Sequence, residues 1–353
     1  MQRIILLMAL MSAACFCAAA DHDAEKPVVT ILATGGTIAG SAESETQAGY
    51  TSAQLGVDTL IGAVPQLKTI ARVSGEQIAN IGSQDMSDKI WLQLAKRINE
   101  LQESDETDAI VVTHGTDTLE ETAYFLHLTV RGNKTVVLTA AMRPSTALSA
   151  DGPLNVFNAV AVAADPSSQG RGVLVVVNDD IHGARAITKT STADVQTFVS
   201  VEVGLIGVSL YGNNRFFRKP FRSFGESSEF SVKGLQELPR VDVIYMHADM
   251  SADLIDAAVA AGAQGIVIAG VGNGNMTNQA LQAVSRAIEK GVVVVRASRV
   301  TGGSVGRNVE VNDDEYGTVA AGDLNPAKAR ILLKLALLET SDADNIQQAF
   351  DKY

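Results

Sequence analysis

Short apolar runs rich in β-branched residues alternate with helical periodicities along this chain. Residues 28–33, 108–113, 135–140 and 172–177 are runs of the first kind, and their length and bounding turns predict strands. Between them Leu119, Ala123, Leu126 and Val130 recur at helical spacing, and 151–164 reads as a second helix. Thr118, with Glu121 three residues on, matches a capping box at the start of the first helix. From 208 to about 238 the pattern weakens into a polar stretch punctuated by Gly212-Asn213-Asn214, Pro220, Gly225 and Gly234. Alternation then resumes, with strands at 241–245, 265–269 and 292–295 and helices at 252–261, 278–290, 326–339 and 342–350. Strands alternating with helices predict α/β architecture with mostly parallel sheets covered on both faces. At 353 residues two such three-layer domains are expected. The larger, N-terminal one is set at 27–217, a connection at 218–239, and the smaller, C-terminal one at 240–353.

The first twenty residues stand apart. Arg3 precedes an apolar run from Ile4 to Cys17, and Ala18-Ala19-Ala20 follows. A basic start, a short greasy segment and small residues at its end describe a secretory signal, too short for a bilayer span. Neither Cys15 nor Cys17 has a Leu three residues before it, which argues against a lipoprotein. Cleavage near Ala20 leaves a periplasmic or secreted chain with no cysteine, hence no disulfide and no thiolate. It also removes Arg3, so the net charge passes from -12 to -13. Such an acidic protein repels phosphate backbones and anionic lipid, so neither nucleic acid nor membrane is expected as a partner. A zwitterionic small molecule is indifferent to that field.

In an open parallel sheet, ligands bind beyond the carboxyl ends of the strands. The first strand ends in Thr34-Gly35-Gly36-Thr37-Ile38-Ala39-Gly40. Two glycines let the backbone turn tightly and approach a ligand, and Thr37 brings a hydroxyl there. The pattern is neither G-x-G-x-x-G nor a P-loop, which disfavours phosphate; a plain turn is the bland alternative. The next strand ends in Thr113-His114-Gly115-Thr116-Asp117-Thr118. Here a threonine sits beside a carboxylate at a helix start; the bland reading is that Thr116, Asp117 or Thr118 caps the helix, and the free N–H groups there can also hold an anion. Gly82-Ser83-Gln84-Asp85 and Thr188-Lys189-Thr190 are further polar clusters. Lys189 alone is ordinary surface; near a carboxylate and a threonine it accepts a proton if burial lowers its pKa.

These segments are similar to the bacterial L-asparaginases. Residues 31–40 and 113–126 resemble that family's two signature segments, and 141–146, 149–155 and 324–330 are similar too. The likeness runs from about Val28 to Tyr353, and the export signal fits the secreted branch. The resemblance implies hydrolysis of a side-chain amide, L-asparagine first, with Thr37 as nucleophile. It implies that Tyr50 hydrogen-bonds Thr37 from a mobile flap, and that Thr116, Asp117 and Lys189 form a second catalytic set. Ser83, Gln84 and Asp117 would hold the α-carboxylate and α-ammonium. Asn275 and Glu310 match residues lent by a neighbouring subunit of a homotetramer. A phenol near pKa ~10 is a poor base at neutral pH, so the base remains open between Tyr50 and Lys189 with Thr116. A backbone N–H near Thr116 is the preferred oxyanion donor. Ser83-Gln84-Asp85 and Gly274-Asn275 resemble the asparagine-preferring members, whereas glutaminase-asparaginases tend to carry Ser-Glu and Gly-Ser there. One methylene discriminates by only ~1–3 kcal/mol, so a weaker glutaminase activity is expected. The alternatives are a glutaminase-asparaginase whose main substrate is glutamine, and an exported amino-acid binding protein with the same export signal and two α/β domains.

Other motifs carry less. Gly302-Gly303-Ser304-Val305-Gly306 matches a nucleophile elbow but leads into a polar, irregular stretch. Gly270-Val271-Gly272-Asn273-Gly274-Asn275 lacks the third glycine of a dinucleotide loop. His22, His114, His127, His182 and His247 show no metal-ligand spacing, and neither metal nor cofactor is expected. His114 is expected to shape its turn, and His127 to be surface or packed.

Overall fold

The computed structural model describes residues 26–46 and 51–353. The expected signal at 1–20, with both cysteines, and Tyr50 lie outside those residues. In chain order the strands are β1 (Val28–Gly35), β2 (Arg72–Ile81), β3 (Ala109–Thr113), β4 (Val136–Thr139), β5 (Leu174–Val177), β6 (Asp180–Gly183) and β7 (Ile187–Lys189). They continue with β8 (Phe198–Ser200), β9 (Gly207–Leu210), β10 (Asn213–Phe216), β11 (Val241–Tyr245), β12 (Gly265–Gly270), β13 (Val293–Ser298) and β14 (Val319–Ala320). Among the described residues one sheet runs β10-β9-β6-β5-β4-β3-β1-β2 and a second β11-β12-β13-β14, while β7 and β8 pair separately. The second sheet is parallel throughout, as is the first from β2 to β5; β6, β9 and β10 extend the first sheet antiparallel. The α/β class with mostly parallel sheets is therefore as the periodicity predicts.

The period-two alternation of the strands sorts their side chains into two cores. Leu32, Ile110, Val112 and Leu138 face one, with Leu94 and Ile98 of the Asp88–Glu103 helix and Leu126 of the Leu119–Thr129 helix. Val29, Ile31, Val111 and Val137 face the other, with Val156 and Val160 of the Gly152–Ala164 helix. The first core continues through Ile331, Leu332 and Leu335 of the Pro326–Ala336 helix to Val267 and Val295 of the second sheet. A third core covers that sheet's far face, where Ile244, Ile268 and Val294 meet Ala280 and Val284.

Charged pairs cross the same seam. Lys334 donates to Asp88 at 2.7 Å, and Arg185 to Asp323 at 2.8 Å. Burial pushes the Lys334 and Lys328 ammonium groups below the usual lysine range. Deleting Asp88 strands the buried Lys334 ammonium, whereas deleting Lys334 leaves a carboxylate that water still reaches, so the first change is the more destabilising.

Three local features depart from the sequence reading. β2 shows no strong apolar run, because it is an edge strand with an alternating half-exposed pattern. The stretch beginning at 208 contains the β9–β10 hairpin, closed by Tyr211 and Gly212, both at positive φ. That two-residue turn suits the strand twist but leaves little apolar signal. Thr118 does not form the expected capping box: its hydroxyl donates to Ser83 O at 2.8 Å instead, tying the helix start to another loop.

Candidate active site

β1 lies between β2 and β3, so the chain leaves it towards one neighbour and returns on the other side. Such a reversal opens a crevice at the carboxyl ends of the strands. Thr34 Oγ1 donates to Thr113 O at 3.0 Å and closes the β1 and β3 ends onto each other. Gly36 has φ 84°, and a Cβ there would stand 2.3 Å from Gly115 Cα. A Cβ on Gly115 would in turn stand 2.6 Å from Ser83 Oγ. Only hydrogen at both positions lets the loops bearing Thr37, Ser83 and Thr116 stack in contact. All three hydroxyl-bearing residues are buried. Ser83 Oγ accepts the Asp117 N–H at 3.1 Å. Thr37 lies in a single 3-10 turn whose last bond runs from Gly40 N–H to Thr37 O at 2.8 Å.

Lys189, at the end of β7, reaches this crevice from elsewhere in the chain. Its Nζ donates to Thr116 Oγ1 at 2.9 Å and to Asp117 Oδ1 at 2.7 Å. The lysine side chain is 19% exposed and that of Asp117 58%, so the carboxylate faces solvent. Gln84, next to Ser83, is exposed as well. The Thr116 N–H donates to no described residue. A hydroxyl linked to an ammonium, a solvent-facing carboxylate and an N–H with no acceptor among the described residues are the parts that proton transfer and oxyanion binding require.

The turn beneath is held by a chain of buried donors and acceptors. Trp91 Nε1–H donates to Thr122 Oγ1 at 2.8 Å, and Thr122 and His114 Nε2 are 2.8 Å apart. His114 Nδ1 lies 2.7 Å from Gly115 O. Because a carbonyl only accepts, Nδ1 carries the proton and Nε2 accepts from Thr122. Every member is then satisfied with the ring neutral, and burial lowers its pKa to about 4. His114 thus shapes the turn. His127 is packed in its helix, accepting the Val173 N–H at 3.2 Å, and burial lowers it to about 3. His182, 2.9 Å from Ser200 Oγ, is lowered by burial to about 4.

These depressed values have a consequence for stability. An unfolded histidine titrates near 6.5, so between pH 6.5 and about 4 the unfolded chain binds protons that the folded one refuses. Stability is fully present above pH 6.5 and falls as the pH drops, by roughly 1.4 kcal/mol per unit for each such histidine at full slope. Thermal melts between pH 7 and 4 should show a falling midpoint, and His127→Gln should flatten that slope. An unchanged slope would mean that His127 is charged or exposed in the fold.

Asn275 and Glu310 lie on loops of the second sheet, where Asn275 Nδ2 donates to Glu310 Oε2. They are joined to each other, and no described contact joins them to Lys189 or Ser83. Ser304 is exposed on a loop with no helix before Asp313–Tyr316, unlike a nucleophile elbow. Among the described residues no cluster of His, Cys, Asp or Glu could hold a metal, and no helix is long and apolar enough to cross a membrane.

One supporting set had no role in the sequence reading. Lys328 Nζ, at the start of the Pro326–Ala336 helix, donates to Ile187 O and Glu120. Asn325 Nδ2 reaches Glu120 at 3.3 Å and Thr188 Oγ1 at 3.3 Å. The second domain thereby grips the strand that carries Lys189. The 324–330 segment is visible as a likeness, but its contacts span 137 to 208 residues and leave no local trace.

Comparison with known proteins agrees with this architecture. Residues 28–222 match the family model described as Asparaginase, N-terminal, and 240–350 match that of the Glutaminase/Asparaginase C-terminal domain. The chain is 53% identical over 327 residues to L-asparaginase 2 of Escherichia coli, covering 93% of each chain. It is 50% identical over 340 residues to L-asparaginase 2 of Bacillus subtilis, covering 95% of this chain and 89% of that one. Against the glutaminase-asparaginase of Acinetobacter glutaminasificans it is 44% identical over 329 residues, 92% of this chain and 99% of that one.

Proposed function

This chain belongs to the asparaginase family, and on that premise we propose that it hydrolyses L-asparagine to L-aspartate and ammonia through a threonine acyl-enzyme, with weaker activity on glutamine. Thr37 Oγ1 attacks the side-chain amide carbon, the C–N bond breaks, and ammonia departs with a proton. Water then attacks the resulting ester and releases aspartate and the Thr37 hydroxyl. Splitting amide hydrolysis this way replaces one difficult step by two easier ones. Lys189, Thr116 and Asp117 relay the proton, Tyr50 orients Thr37, and the Thr116 N–H stabilises the oxyanion. Ser83 and Gln84 bind the α-carboxylate and the Asp117 carboxylate binds the α-ammonium. Asn275 and Glu310 serve the site of an adjoining subunit in a homotetramer, and the protein is exported after cleavage near Ala20.

The observation that carries this reading is the stacking of the Gly36 and Gly115 turns, with Lys189 bonded to both Thr116 and Asp117. Pure binding needs no hydroxyl linked to an ammonium beside a buried threonine. The test compares ammonia release from asparagine and glutamine. The specificity constant for asparagine should exceed that for glutamine by roughly 10–200-fold, the reach of one methylene. Equal constants would make the protein a glutaminase-asparaginase, and stoichiometric binding without turnover would make it a binding protein.

A further inference from the structure

Asn275 and Glu310 stand on two loops with no sequence proximity, and each loop needs a support. Asn275 closes a tight turn against Val271, with Gly272 and Gly274 both at positive φ. Glu310 sits between β13 and the short Asp313–Tyr316 helix. Behind both lies Arg296 of β13, whose side chain is 0% exposed. Its Nε and Nη2 each donate to Asp313 at 2.6 Å. Nη1 donates to Asn273 O at 3.0 Å and Gly274 O at 3.4 Å, and Nη2 to Gly306 O at 3.2 Å. Asp313 accepts the Asn308 N–H at 2.8 Å and the Thr318 hydroxyl at 2.5 Å. Asn273 Oδ1 accepts the Gly306 N–H at 2.9 Å and staples one loop to the other.

A single buried guanidinium therefore grips the carbonyl just before Asn275, while its carboxylate partner grips an amide two residues before Glu310. Buried ion pairs add little net stability over a well-packed apolar pair. What this fork supplies is geometry: planar, bidentate bonds with every acceptor used. We infer that Arg296, with Asp313 and Asn273, is a positioning unit that holds Asn275 and Glu310 in register for the substrate of the adjoining subunit. This inference rests on the reading that those two residues complete that site.

The test takes four variants of the full-length protein: Asn275→Ala, Asn273→Ala, the double variant of these two, and Arg296→Lys. Steady-state ammonia release is measured on asparagine and glutamine, with thermal melting and assembly size recorded alongside. Asn273→Ala leaves the ion pair in place, so it reports on register even if Arg296→Lys fails to fold. The expected result is a rise in KM for asparagine of about tenfold or more in both Asn273→Ala and Asn275→Ala, with kcat less affected. The double variant Asn273→Ala/Asn275→Ala should then be no worse than Asn275→Ala alone, because the staple acts only through its neighbour. A merely structural staple would lower the melting point and give additive losses, which overturns the inference. Wild-type kinetics for Asn273→Ala beside an impaired Asn275→Ala overturns it also, while the reading of the site stands. Wild-type kinetics for Asn275→Ala removes that reading and the inference with it.

Discussion

Replacing Thr37 by alanine is expected to reduce ammonia release from asparagine by on the order of 10⁴-fold or more. The residue is buried in a one-turn 3-10 element whose backbone bonds, Ala39 N–H to Gly36 O and Gly40 N–H to Thr37 O, remain available to alanine. The acyl-enzyme route, in contrast, loses its only attacking atom, and removal of a nucleophile collapses the contribution of the groups that activate it. Thr37→Ser should keep part of the activity, because the hydroxyl survives while the β-branch that restricts its rotamer is gone. The measurement is single-turnover and steady-state ammonia release on wild type and both variants, side by side. Turnover retained in Thr37→Ala would move the nucleophile to Thr116 with Lys189.

Lys189→Met should separate chemistry from folding most clearly. The substitution keeps volume and removes the bonds to Thr116 at 2.9 Å and Asp117 at 2.7 Å. The Asp117 side chain is 58% exposed, so water solvates it once its partner is gone, and the stability change should stay within about 1 kcal/mol. Positioned proton transfer contributes typically 10²–10⁴-fold, and kcat should fall by about that much. Lys189→Arg should not restore it, since a guanidinium neither releases a proton nor fits the same pair of acceptors. A kcat near wild type in Lys189→Met would leave proton transfer to Tyr50.

Each prediction joins something legible along the chain to something that is not. The Gly35-Gly36-Thr37 and Gly115-Thr116-Asp117 turns are legible because a strand end in a parallel sheet is where ligands bind, and because glycine beside a hydroxyl is a local signal. Lys189 carries no such signal: it lies on a three-residue strand, 72 residues from Asp117. Thr118 reads as a helix cap from its neighbours, yet its hydroxyl serves the Ser83 loop, because a competing acceptor arrives from 35 residues away. Arg296 sits in an apolar strand among Val293, Val294 and Val295, where a charge looks misplaced until Asp313 and three carbonyls surround it.

The α/β class, most strands and helices, and the two threonine turns can be read along the chain. Those follow from the period of burial and from backbone freedom, which are properties of neighbouring residues. The antiparallel edge of the first sheet, the lengths and geometry of the bonds from Lys189 to Thr116 and Asp117, and the grip of the second domain on β7 emerge only from the folded chain. Those depend on which distant segments meet when apolar faces close on each other, and side chains such as Lys328 or Arg296 acquire partners only after that closure.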